Sequence, residues 1–121
     1  MPTLDDLVMK IKQRVDPNLV GMIACHNGVV RGLSRNGQPV EYLEIQKNPS
    51  AWEEILDNIR ERPGIAAVEA HLNVGHLKVG DDIFLIAIAG DIRENVFPAL
   101  EDAVNQLKSK AILKREKLKT A

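Results

Sequence analysis

The chain has 121 residues, 45% apolar and 27% charged, with a net charge of −1 and aromatic residues at only 3%. That is one modest core's worth of ordinary globular composition. It argues against a general polyanion binder and against a single-stranded nucleic-acid platform built from stacking rings. The lone cysteine, Cys25, excludes an intramolecular disulfide framework and a cysteine-rich metal site.

In chain order, Thr3 caps a first helix, with Asp5 and Asp6 at its positive end. Leu4, Leu7, Val8, Ile11 and Val15 follow helical spacing, and Asp16-Pro17-Asn18 ends it. "LVGMIACH" (19–26) reads as a buried strand, with Cys25 in or near the core. Asn27-Gly28 marks a tight turn or bulge, and "VVRGL" continues as strand before the loop "SRNGQP". "VEYLEIQ" (40–46) approaches period two with one break, so a strand is expected. "NPSAWEEILDNIRERPG" is the clearest helix. Ser50 and Glu53 suggest a capping box, Trp52, Ile55, Leu56 and Ile59 an apolar stripe, and Pro63-Gly64 a stop. "IAAVEAHLNVG" and "DDIFLIAIAG" are two further strands, joined by a turn through "HLKVGDD". A last helix is expected from an Asn95 cap, with Pro98 in its first turn and Val96, Leu100, Ala103, Val104 and Leu107 inward. Paired strands between three main helices favour one α+β domain over 1–121, a sandwich with an antiparallel or mixed sheet.

Chemistry is sparse in the motifs. No Walker-type or dinucleotide glycine loop occurs. His26, His71 and His76 fit no zinc spacing, so no metal and no cofactor is expected. Cys25 and His26, adjacent on a strand, point to opposite faces and make a poor thiol–imidazole pair. The start "MPTLDDLVMK" lacks the pattern of a signal peptide, and the longest apolar run, "IFLIAIA", is too short to span a bilayer. A cytoplasmic protein bound neither to membrane nor to nucleic acid is expected. The charge, however, is uneven. Residues 108–119 hold Lys108, Lys110, Lys114, Arg115, Lys117 and Lys119 against Glu116 alone, with Ala111, Ile112 and Leu113 among them. Lys108 suits the negative end of a helix. If the apolar triplet packs back on the sheet, Lys114 is held near it and the two form an anion clamp. The bland alternative is a solvated tail.

"GVVRG", "VGHLKVGDD" before an apolar strand, "IRENVF" opening a helix and "LKSKAILKRE" closing it occur in that order from about Gly21 to Glu116. Together they resemble the large, catalytic subunit of molybdopterin synthase. The resemblance implies an α/β hammerhead fold and large subunits paired as a homodimer. It implies sulfur transfer from the thiocarboxylated C-terminal glycine of a small ubiquitin-like subunit to cyclic pyranopterin monophosphate, giving the dithiolene of molybdopterin. Carried over by position, it implies Lys108 and Lys114 as catalytic residues. Val29, Val30, Arg31, Ile92, Arg93, Arg115 and Glu116 fall on its substrate-binding positions. Ile92 replaces the histidine usual in the family, the segment between the lysines is one residue shorter, and His26 stands where phenylalanine is usual. These departures motivate an alternative, a non-catalytic paralogue that binds a partner's C-terminal tail or a pterin-like anion.

Overall fold

The computed structural model describes residues 2–120. The first helix, α1 (Leu4–Arg14), begins at Thr3, whose hydroxyl accepts from the Asp6 amide while the Asp6 carboxylate accepts from the Thr3 amide. This reciprocal cap satisfies two otherwise orphaned donors. Leu7 and Ile11 are its buried stripe. The following strand, β1 (Met22–Val29), starts later than the expected Leu19, because Pro17–Leu19 form a short 3₁₀ turn under an Asp16 cap. Asn27-Gly28 makes the bulge: the register with the neighbouring strand Asp82–Gly90 slips between Gly28 and Val29. Of "VVRGL" only Val29 still belongs to the strand, because the chain leaves the sheet at Val30 to form the loop that carries Arg31.

Strand β2 (Val40–Lys47) buries Val40, Leu43 and Ile45; the break in its alternation is a register irregularity between Val40 and Tyr42. Helix α2 (Pro49–Arg60) is capped by Asn48 and not by Ser50. Pro49 takes the first helical position, where no N–H is needed, and the Asn48 side chain accepts from the Ala51 amide. Trp52, Ile55, Leu56 and Ile59 are all buried, each worth about 1.5–3 kcal/mol against exposure. Gly64, at φ +80°, turns the chain into β3 (Ile65–Leu72). The turn expected before β5 (Asp82–Gly90) contains a further strand, β4 (Gly75–Lys78).

Helix α3 (Arg93–Gln106) starts earlier than expected. Ile92 is its N-cap without a side-chain bond, and Asn95 instead donates to Asp91. The Asp91 carboxylate also accepts from the Ile92 amide, and these two bonds hold it below the usual carboxylate range. The helix widens into a π turn (Leu107–Ala111) and runs directly into β6 (Ile112–Leu118), so most of the basic segment is a strand.

Two three-stranded antiparallel sheets result, ordered β1-β5-β3 and β4-β2-β6. This is the α+β class in its antiparallel form. One face of the first sheet packs on α1 through Ala67, Leu85, Ala87 and Ala89. The other face, through Val68, Phe84, Ile86 and Ile88, shares a core with α2, α3 and the inner face of the second sheet. Among the described residues no helix is long and apolar enough to cross a membrane.

Candidate functional site

The two sheets part at the C-terminal end of α3 and leave a cavity of about 530 Å³. Gly28, Val29, Ile83 and Phe84 line it from the first sheet, and Leu43, Ile45 and Ile112 from the second. Lys108 enters from the π turn, Lys114 and Glu116 from β6, and Arg31, Leu33 and Arg35 from the loop between β1 and β2.

Each charged side chain has a local reason to be there. Leu107 and Ala111 are fully buried, and the Ala111 carbonyl accepts from the Asn48 amide at 2.8 Å; the π turn is thereby pinned to α2 with Lys108 outside. The extra residue of a π turn changes the phase at which a helix presents its side chains, which is one reason such turns recur at functional sites. On β6 the pleat decides. Lys114 pairs with Ile45 and Glu116 with Leu43, both core positions of β2, so both charges share the cavity face. Arg115 pairs with Glu44 on the opposite face, beside a shallow depression shared with Gln46 and Leu113. The Arg31 Nε donates to the Leu33 carbonyl at 2.8 Å. The loop beyond closes on buried Ser34, whose amide donates to Gln38 O and whose carbonyl accepts from the Gly37 amide.

The cavity therefore gathers Arg31, Arg35, Lys108 and Lys114 against the single carboxylate of Glu116. Among the described residues none of the four cations forms an ion pair. Like charges facing an apolar floor of Leu43, Ile45, Phe84 and Ile112 focus a positive potential at the mouth. An anion with a partly apolar body suits such a site.

Of the residues singled out in the sequence, Val29, Arg31, Lys108, Lys114 and Glu116 line this cavity. Val30 lies just behind it, buried and tied by backbone bonds to Gly80 and Asp81. Ile92 and Arg93 do not reach it within one chain. They sit at the far end of α3, where Arg93 is exposed with its Nε 3.7 Å from Glu94. Arg35 was not singled out, although the odd-numbered spacing of 31, 33 and 35 was available as a signal in the loop. His26, which fits no metal spacing, packs behind the cavity wall on Phe84. Its ring lies 5.2 Å from that of Phe84, and its Nε2 is buried without a hydrogen-bond partner among the described residues. Burial first, and then the charge of Lys108, push its pKa below the ordinary value.

Cys25 is exposed, contrary to the core or half-buried position expected, because odd residues of β1 turn away from the main core. Partial burial and nearby Asp5 push its thiol up, opposite to what a reactive thiolate needs. Among the described residues no group of three His, Cys, Asp or Glu side chains is placed to hold a metal ion.

The family model of the MoaE protein matches residues 4–110. The chain belongs to the MoaE protein family. Relatives of this MoaE-family chain include a probable molybdopterin synthase of Haloferax volcanii, 32% identical over 94% of the chain and 46% of the relative. A molybdopterin synthase catalytic subunit of Ralstonia nicotianae is 33% identical over 76% of the chain and 54% of the relative. The chain thus spans about half the length of the curated relatives it matches. The crystal structure of molybdopterin synthase from Staphylococcus aureus has the same fold, with a TM-score of 0.79 at 24% identity, covering 100% of this chain and 88% of that one.

Proposed function

We propose that this MoaE-family chain is the catalytic subunit of a molybdopterin synthase. It transfers sulfur from a thiocarboxylated, ubiquitin-like small subunit to cyclic pyranopterin monophosphate. The observation that carries the proposal is the convergence of Arg31, Lys108 and Lys114 on one cavity, although the first lies some 80 residues before the others. Arg31 and Arg35 offer forked donors to the cyclic phosphate and pterin oxygens. Lys108 and Lys114 stabilise the oxyanion that develops at the partner's terminal carbonyl and move protons, or one of them, as the free amine, takes up the acyl group as an amide while the C–S bond breaks and the sulfur leaves to the pterin. The apolar floor excludes water from the thiocarboxylate. Glu116, the lone carboxylate, keeps the cluster from being uniformly repulsive and offers an acceptor to the pterin N–H groups. Val29 forms part of the wall; Val30 supports Arg31 from behind. Arg115 faces the other side of β6 and contributes only to the rim.

Arg93, with Ile92 beside it, meets the substrate in this reading only from a second copy of the chain. A homodimer with two shared sites is therefore part of the proposal, and the cytoplasmic setting expected from the sequence goes with it.

The test is reconstitution of the purified chain with cyclic pyranopterin monophosphate and a thiocarboxylated small subunit. Formation of the dithiolene, abolished by Lys108→Ala, is expected. Binding of the partner tail without product, unchanged by Lys108→Ala, would overturn the catalytic reading and leave the non-catalytic paralogue in its place.

A further inference from the structure

His26 plays no part in the mechanism above, although it packs against Phe84 and Gly28, two of the residues that line the cavity. Strand alternation turns it, with Ala24 and Gly28, toward α3 and the main core. Its neighbours across β1 and β5 are Ile86, its register partner, and Phe84, against whose ring it lies. Both are apolar. Lys108 enters the same cavity from the π turn, beside Gly28 and Phe84, the two lining residues that pack on the ring. A side chain at Gly28 would place its Cβ 3.4 Å from the His26 Nε2, so the glycine leaves the ring room behind the cavity wall.

Nε2 is buried and has no partner among the described residues, an arrangement that costs free energy and calls for a reason. The ring is otherwise only half-buried. In the neutral imidazole one nitrogen carries the proton and the other a bare lone pair. Nε2 is the ring nitrogen on the Gly28 side, toward the cavity wall, and a lysine ammonium approaching from there repels an N–H at Nε2 and attracts a lone pair. It therefore selects the tautomer with the proton on Nδ1 and leaves Nε2 as an acceptor. Proton transfer from the lysine is not the use of this acceptor: an ordinary lysine ammonium is about four pKa units less acidic than an ordinary imidazolium. A hydrogen bond is.

We propose that His26 is a positioning residue for Lys108, its buried Nε2 accepting a hydrogen bond from the Lys108 ammonium when the cavity is occupied. The bond fixes the lysine in the orientation in which its remaining N–H groups meet the reacting carbonyl. Its kinetic consequence rests on the catalytic reading above; the pairing of the two side chains does not.

Two measurements test it. In ¹⁵N-histidine-labelled protein, the neutral His26 ring is expected to carry its proton on Nδ1, and Lys108→Met is expected to raise its titration midpoint. A proton on Nε2, or a midpoint that Lys108→Met leaves in place, overturns the pairing. In the reconstituted reaction, His26→Phe keeps the ring but loses the acceptor. It is expected to lower kcat about tenfold with little change in KM, the pattern of an interaction made in the transition state. His26→Gln, which returns an acceptor near Nε2, is expected to recover most of the loss. A kcat for His26→Phe equal to wild type overturns the positioning role. If the wild-type chain itself yields no dithiolene, it is the functional reading that falls, and the NMR measurement alone upholds or overturns the pairing. The same measurement decides if His26→Phe fails to fold.

Discussion

Lys108 and Lys114 reach the cavity from backbone that is fixed independently of their charge: the first from a π turn held by Leu107 and Ala111, the second from a strand paired to β2. Both side chains are exposed. Truncating either removes a donor without touching the core, so stability is expected to stay within about 0.5 kcal/mol of wild type. Activity is a different matter. Removing one preorganised oxyanion donor costs about 10²–10³-fold in kcat, and Lys108→Ala and Lys114→Ala are each expected to fall in that range. Steady-state kinetics beside thermal melts separates the two effects; a matching loss of stability would show that the lysines are structural. His26 gives a prediction of opposite kind. Burial and Lys108 lower its folded-state pKa, so in the window beneath the ordinary value the unfolded chain binds the proton and the folded chain does not. Stability contributed by the neutral ring is present above about pH 6.5 and is lost as pH falls through the folded-state pKa. A series of thermal melts from neutral to mildly acidic pH should show this drop in wild type and a smaller one in His26→Phe.

At the scale of elements, the helices and the buried strand β5 could be read from the sequence because their patterns serve the core alone. Strand β6 could not. Its inward face carries Ile112, Lys114, Glu116 and Leu118; Leu118 packs on the core, and the two in the middle are charged because they line the cavity. Function thus erases the period-two pattern by which a strand is recognised. Strand β4 was lost for a different reason. It has four residues and a single buried one, Leu77, too little for a pattern. The same conflict of signals misplaced a cap: Ser50 with Glu53 has the right spacing, but Asn48 before Pro49 has the better geometry. Asn48→Ala is therefore expected to cost about 1 kcal/mol and Ser50→Ala much less, measured by urea unfolding. Leu107→Ala should cost about 2–5 kcal/mol, since the side chain is wholly buried where α3, the π turn and α2 meet. Because that joint also aims Lys108, activity should fall further than the melt alone implies.

Across the whole molecule, the convergence of Arg31, Lys108 and Lys114 was anticipated from a resemblance in motif order, while the separation of Arg93 from them follows only from the fold. Helix α3 is 14 residues long with Arg93 at its N-terminal end, which sets Arg93 about 20 Å from the π turn at 1.5 Å per residue. No side chain spans that distance, so a substrate held by both ends of α3 requires α3 of one copy beside the cavity of another. Ile92 and Phe97, exposed apolar residues at the same end of the helix, fit such a contact. In the proposed two-fold dimer each site would take Lys108 from one copy and Arg93 from its partner. Arg93→Ala and Lys108→Ala homodimers would each lack a group at both sites. A mixed dimer would carry one site missing both groups and one site intact. Mixing the two variants under conditions of subunit exchange should restore about a quarter of wild-type activity, because half the dimers are mixed and half of their sites are whole. No recovery after verified exchange would place Arg93 outside the site and confine the chemistry to the cavity of a single chain.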